Sequence, residues 1–203
     1  MKIIKHIKDA KQMDSVKLSI LIPSTHSRMD MTMKLTDRLL DQIEFNDSVG
    51  VVEVVTLWDD GAKSIGTKRN ELIQMAKGDY VCFVDSDDDI SSDYVERLME
   101  GINLGVDCCS LKGCITWDGK NPEIFEHSLR YSEYKTTENP IKYERFPNHL
   151  NCIKKSLVFD IKYPEISHGE DTDWATQVFK AGVLKTEHYI DSVIYHYKFI
   201  TNK

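Results

Sequence analysis

The sequence predicts a single α/β domain, residues 1–203, built on a mostly parallel central sheet flanked by helices. Three observations carry this prediction. Short apolar, β-branched runs alternate with segments of helical spacing through residues 17–105. The three apolar runs of that stretch each end on polar or acidic residues, as strands do where an open α/β sheet binds its ligands. No internal repeat, low-complexity tract or linker divides the chain.

The elements follow in order. KLSILIPS (17–24) is an apolar run ended by proline, a buried strand. MDMTMKLTDRLLDQIE (29–44) sets Met33, Leu39, Leu40 and Ile43 at helical spacing, and VVEVVTLW (51–58) is a second strand. IGTKRNELIQMAKG (65–78) is a helix carried by Leu72, Ile73, Met75 and Ala76, with Gly78 as its stop. DYVCFV (79–84) is the third strand, and SSDYVERLMEGI (91–102) a helix with Ser91 and Ser92 as caps and Asp93 in its first turn. Beyond Gly105 the pattern changes. VDCCSLKGCITW (106–117) reads as a strand pair or one long strand, and residues 118–150, with Pro122, Pro140 and Pro147, as loops and short strands. EDTDWATQVFKAG (170–182) is a helix that opens on acids and closes on Gly182; KTEHYIDSVIYHYKF (185–199) is a strand-rich tail.

The chain is 41% hydrophobic and 29% charged, which suits an ordinary folded core. A net charge of −7 argues against a broad basic surface for nucleic acid. The cysteines, Cys82, Cys108, Cys109, Cys114 and Cys152, are odd in number and form no Cys-x-x-Cys pair, so reduced thiols and a cytoplasmic location are expected. MKIIKHIKDAKQMD alternates lysine with apolar residues and holds no run long enough for a leader or a membrane span. It reads as a weak amphipathic helix or an edge strand.

YVCFVDSDDDI (80–90) poses the functional question. An apolar strand stops at Asp85, Asp87, Asp88 and Asp89, and like charges this close repel unless a cation joins them. Hard oxygen ligands select Mg²⁺ or Mn²⁺, and such an ion takes one or two carboxylates together with phosphate oxygens and water. A phosphate-bearing substrate is therefore expected. A calcium loop has a nearly full ligand set in Asp85, Asp87, Asp89, Ser91, Asp93 and Glu96, but Ile90 stands where its glycine belongs and a strand precedes it. An aspartyl phosphatase with Asp85 as nucleophile would carry its motif on the first strand rather than the third.

The stretch IGTKRNELIQMAKGDYVCFVDSDDDISSDYVERL resembles the signature of family-2 glycosyltransferases with the GT-A fold, through Gly66, Arg69, Asn70, Ala76, Gly78, Asp79, Tyr80, Asp85, Asp87 and Asp88. PSTHSR after the first strand and Asp59–Asp60 after the second are similar to the family's opening. HLNCIKKSLVFDIKYPEISHGEDTDWATQVFKAG resembles its acceptor-side segment, ending in Glu170, Asp171 and Trp174. The resemblance covers roughly residues 17–196. It implies a GT-A (Rossmann-like) domain in which residues 17–105 bind a nucleotide-sugar and residues 106–203 form a small acceptor-side region of strands and loops. It further implies an inverting, metal-dependent transfer from a nucleotide-sugar, a UDP-sugar by preference, to an acceptor hydroxyl. By similarity, Pro23, Ser24, Thr25, Arg28, Asp59, Asp60, Lys63, Arg69, Asp85 and Ser86 surround the nucleotide. Asp87, with Asp85 and His196, holds Mn²⁺ or Mg²⁺. Asp171 is the base and Glu170 orients the acceptor, with Trp174 and Trp117 as acceptor contacts. Arg69 reads equally as a diphosphate ligand or as an ion pair tying its helix to the sheet. Of the other histidines only His26 has a reading, as a nucleoside contact. Aromatic and basic residues across 112–150, among them Tyr143 and Arg145, suit a saccharide or glycoconjugate acceptor, ahead of a hydroxylated DNA base. The reading from another class is a non-catalytic calcium or divalent-cation module.

Overall fold

The computed structural model describes residues 2–6 and 15–201. Its strands and helices are β1 (Lys2–His6), β2 (Leu18–Thr25), α1 (Met29–Phe45), β3 (Val52–Asp59), α2 (Ile65–Met75), β4 (Tyr80–Phe83), β5 (Asp89–Ile90) and α3 (Tyr94–Leu104). There follow β6 (Cys108–Cys109), β7 (Leu111–Trp117), β8 (Lys120–His127), β9 (Lys135–Thr136), β10 (Ile141–Arg145), β11 (Ile153–Lys154), α4 (Lys155–Val158), α5 (Glu170–Ala181), β12 (Glu187–His188) and β13 (Val193–Phe199). A 7-stranded sheet runs in the order β1-β3-β2-β4-β11-β6-β12, and a 6-stranded sheet in the order β5-β13-β7-β8-β10-β9. The α/β class is as expected. The parallel core is β3-β2-β4, and β1 and β11 pair antiparallel at either side of it. Over residues 2–6 the N-terminal reading resolves to an edge strand on β3; residues 7–14 lie outside the described residues.

Strand alternation sorts the central sheet onto two cores. Leu18, Ile20 and Ile22 of β2 face α1 and α3, where Leu35, Leu39 and Ile43 repeat at helical spacing beside Val95 and Leu98. Leu21 faces the opposite core, with Leu72 and Ile73 of α2 and Trp174 and Val178 of α5. Met33, expected on the buried face of α1, is 52% exposed; Leu35 takes that place. Gly78 is not the stop of α2, which ends at Met75 with Ala76 already extended. The glycine is needed for a close approach: a Cβ there would sit 2.6 Å from the backbone nitrogen of Ser19. The Gly78 N–H donates to Ser19 Oγ at 2.8 Å, and Ser19 donates to buried Glu53 at 2.7 Å.

The second half holds more β-structure than its polarity suggests. β8 is an eight-residue strand, where loops and short strands were expected. The segment 106–117 becomes two strands in two different sheets, and the chain crosses between them at Ser110, whose N–H bonds His188 O and whose Oγ accepts from Ile190 N. The two expected halves also exchange strands. β11 completes the first sheet between β4 and β6, and β5 joins the second sheet on β13.

Trp174, read from the sequence as an acceptor contact, is a core residue. It is 2% exposed, stacks on Tyr163 at 4.7 Å and donates its indole N–H to Ile161 O at 3.0 Å. Trp174→Ala is expected to cost about 3–5 kcal/mol, the usual range for truncating a buried large aromatic. Denaturant unfolding checks this, and a change below about 1 kcal/mol would return Trp174 to the surface.

Candidate functional site

The site is organised by two successive basic residues of α2, Lys68 and Arg69, both almost fully buried. Helical geometry turns them about 100° apart, so they reach different strand ends. Lys68 Nζ donates to Asp59 Oδ1 at 2.9 Å and to Ser24 O at 3.0 Å, joining the ends of β2 and β3. The second oxygen of Asp59 accepts the Lys63 N–H at 2.8 Å. Burial would raise the Asp59 pKa, but these bonds lower it overall. Arg69 donates from Nη2 to Asp85 Oδ1 at 3.0 Å and from Nε to Glu170 Oε1 at 3.3 Å, and its guanidinium lies 4.9 Å from the Phe83 ring centre. Lys68 carries no motif signal of its own and was missed in the sequence. Its only sign is that KRN puts two cations on successive positions of one helix.

Each aspartate of the acidic turn has its own partner. Asp85 pairs with Arg69 and has His149 Nε2 3.6 Å from its other oxygen. Burial opposes ionisation of Asp85, but Arg69 and His149 outweigh it and hold the carboxyl well below its usual range. Asp87 lies 3.4 Å from Arg28. Asp88 accepts from the Tyr195 hydroxyl at 2.8 Å and the Lys198 N–H at 2.9 Å; burial and Asp85 push its pKa up to about 8. Tyr195 also accepts the Asp85 N–H at 3.1 Å, so β13 clamps the turn. Asp89 binds Arg38 and Lys198, while Asp93 binds Ser91 and Arg97. The ligand set of a calcium loop is thus dispersed among separate partners.

His149, given no role from sequence, stands between Asp85 and Asp171. It is 6% exposed, with Nε2 3.6 Å from Asp85 and Nδ1 3.9 Å from Asp171, and neither ring nitrogen has a hydrogen-bond partner. It comes from the turn before β11, so no local pattern marks it. Asp171 sits in the first turn of α5 beside Glu170 and Asp173, where the helix dipole favours acids. Asp85, Asp88, His149 and Asp171 face a cleft of about 310 Å³, whose other walls include Trp117, Phe125, Tyr143, Arg145 and Tyr197.

Other expected site residues are placed as follows. Pro23 and Ser24 are buried in β2, and the Ser24 hydroxyl bonds Thr32 at 2.7 Å. Thr25 bonds Ser27 at 2.9 Å, and His26 bonds Asp60 at 2.6 Å beside the end of β3. Lys63 is turned to Glu71, at 2.5 and 2.6 Å from its two oxygens. Glu170 is buried against Arg69 and does not line the cleft with Asp171. Ser86 is buried with its hydroxyl unpartnered. His196 pairs with Asp89 across β13 and β5, so strand alternation sets it on the face opposite Tyr195 and Tyr197, away from Asp85. Trp117 lines the cleft, packed 4.7 Å from Phe199.

Among the described residues, no three His, Cys, Asp or Glu side chains are grouped to cage a metal ion. A set this sparse suits the looser mode in which Mg²⁺ or Mn²⁺ takes one or two carboxylates, here Asp85 and Asp87, together with phosphate oxygens and water.

The family model for Glycosyl transferase family 2 matches residues 57–160, just over half of the chain. This span runs from the end of β3 through the acidic turn to α4. The chain belongs to glycosyl transferase family 2. The family-2 chain is similar in fold to residues 1–349 of S. aureus TarS in complex with UDP, with a TM-score of 0.62 and 18% identity over 91% of this chain and 61% of that one. The same protein in complex with UDP-GlcNAc also gives 0.62 and 18%, over 93% and 60%. The chain therefore spans about three fifths of the length of these structures. No curated protein matches it. In this family-2 domain, Arg69→Met should cost about 3–5 kcal/mol, because it leaves the buried Glu170 and the partly buried Asp85 without their cation. Chemical denaturation checks this; a variant of wild-type stability would show that neither carboxylate depends on Arg69.

Proposed function

We propose that this domain transfers a glycosyl group, with inversion, from a nucleoside-diphosphate sugar to an acceptor hydroxyl. One observation carries the reading. A strongly acidic Asp85 from the β4 end and a half-exposed Asp171 from the start of α5 face the same cleft. Family membership supports nucleotide-sugar chemistry, and the UDP and UDP-GlcNAc complexes of TarS support uridine as the nucleoside and a UDP-sugar as donor.

The residues divide the work by position. The ends of β2 and β3, joined through Lys68, offer Thr25, His26, Asp59 and Asp60 to the nucleoside. Arg28 and Asp87 stand where the diphosphate leaves. Asp87 and Asp85 would hold a divalent cation, Mn²⁺ or Mg²⁺, which as a Lewis acid stabilises the charge growing on that leaving group. Asp171 takes the proton from the attacking hydroxyl, the role of a carboxylate positioned as general base. Glu170 serves through Arg69, holding the start of α5 against the donor side. Residues 17–105 thus make the donor side and residues 106–203 most of the acceptor side. The net charge of −7 favours a saccharide or glycoconjugate over DNA as acceptor. Five free thiols, four of them buried, support a reducing, cytoplasmic setting. Among the described residues no helix is long and apolar enough to cross a membrane.

Calorimetric titration with UDP tests the donor side. Wild type should bind UDP more tightly with Mn²⁺ present, and Asp87→Asn should lose that increment with little change in melting temperature. Metal binding that ignores UDP would instead support a plain cation module. Asp171→Asn tests the acceptor side. It should keep wild-type UDP affinity while transfer falls by about 10²–10⁴-fold, the contribution of a positioned base. Near-normal transfer with wild-type UDP binding would remove Asp171 from that role.

A further inference from the structure

Arg145 stands apart from the other arginines. Arg28, Arg38, Arg69, Arg97 and Arg130 each lie against a carboxylate. Among the described residues, none is within ion-pair distance of Arg145. Yet Arg145 is half-buried and held in place. Its guanidinium lies 4.9 Å from the Tyr134 ring centre and 5.4 Å from that of Tyr143. Nη1 donates to the backbone oxygens of Lys135 at 2.6 Å and Glu144 at 2.9 Å. Nη2 and Nε make no such bond, and together they form the edge of a guanidinium that grips a carboxylate or phosphate in bidentate fashion. Burial without an opposing carboxylate lowers the pKa of Arg145 from its ordinary value.

The surroundings favour an anionic guest. Arg145 lines the same cleft as Asp171. Its register partner on β8, His127, is buried in that wall with Nδ1 unpartnered. Burial, and after it His149 and Arg145, push the His127 pKa down to about 3. Of the three acids that line the cleft, two stand apart from Arg145. Asp85 and Asp88 are clamped to β13, and β10, which carries Arg145, lies three strands away in the order β13-β7-β8-β10. That is roughly 14 Å at about 4.8 Å per strand. Between the two ends, Trp117, Tyr143 and Tyr197 offer aromatic faces of the kind that line sugar sites.

We infer that the acceptor is an anionic saccharide, and that its carboxylate or phosphate-ester group docks on Arg145 while its reacting hydroxyl lies at Asp171. This rests on the transferase reading above. The paired edge of Arg145 serves either anion, and aromatic walls hold the ring that carries it.

Transfer from a UDP-sugar to matched acceptors tests the inference: a neutral glycoside, its uronate and its phosphate ester, each with wild type, Arg145→Gln and Arg145→Lys. Wild type should favour one of the anionic members by roughly tenfold or more, the scale of a charge-assisted hydrogen bond. The uronate and the phosphate ester, compared directly, tell which anion the site takes. Arg145→Gln should remove the preference through acceptor KM with kcat nearly held, and Arg145→Lys should restore part of it. Indifference of wild type to acceptor charge, or a preference that survives Arg145→Gln, overturns the proposal. If no member of the panel turns over, binding decides. The Arg145 Nε–H resonance should shift on adding glucuronate or methyl phosphate and stay still with glucose, and no shift with either anion overturns the proposal as well. UDP affinity, measured alongside, reports the donor side separately: its absence in wild type would sink the transferase reading, not the anion site.

Discussion

A buried guanidinium between two carboxylates governs the geometry of this domain. Arg69 leaves α2, passes over Phe83 and meets Asp85 at the end of β4 and Glu170 at the start of α5. Desolvating one cation and two anions is costly, and the attraction between them offsets that cost only when all three are held close. The triad therefore ties together elements that are far apart in the chain. Gly66, one helical turn earlier, lets α2 lie directly against residues 164–166, since a Cβ there would fall 1.8 Å from Pro164 O. With Glu170 pinned, Asp171 is presented to the cleft by the next position of the same helical turn.

The same electrostatic logic changes the meaning of the acidic turn. Crowded carboxylates need compensation, and the sequence alone suggests a metal ion. The protein supplies most of it itself. Arg69, Arg28, Arg38 and Lys198 answer Asp85, Asp87 and Asp89, and Asp88 is left largely protonated near neutrality. Repulsion among the aspartates therefore does not by itself call for a cation at this site.

The second sheet is more than an annex. β13 supplies Tyr195 and Lys198 to the acidic turn and Tyr197 to the cleft, while β8 and β10 bring His127 and Arg145 to its far wall. One strand order therefore couples the acidic turn to the far wall of the cleft.

Sequence by itself determined the local elements and the charged motifs. The alternation of apolar runs with helical spacing marks β2, α1, β3, α2, β4 and α3 to within three residues at each end, because burial of one face imposes that periodicity. The acidic turn was legible because several like charges at a strand end need a cause, and Glu170–Asp171 through their resemblance to the family's acidic pair. Tertiary structure decided the rest. Lys68 and His149 acquire their settings from partners distant in the chain, and a lone cation or imidazole carries no pattern that foretells them. Trp174 shows the converse. Its motif position pointed to the acceptor, but its place on the inward face of α5 made it core. Likewise His196 stands one residue from Tyr195 and Tyr197, and the two-residue period of a strand was enough to turn it to the other face of the sheet.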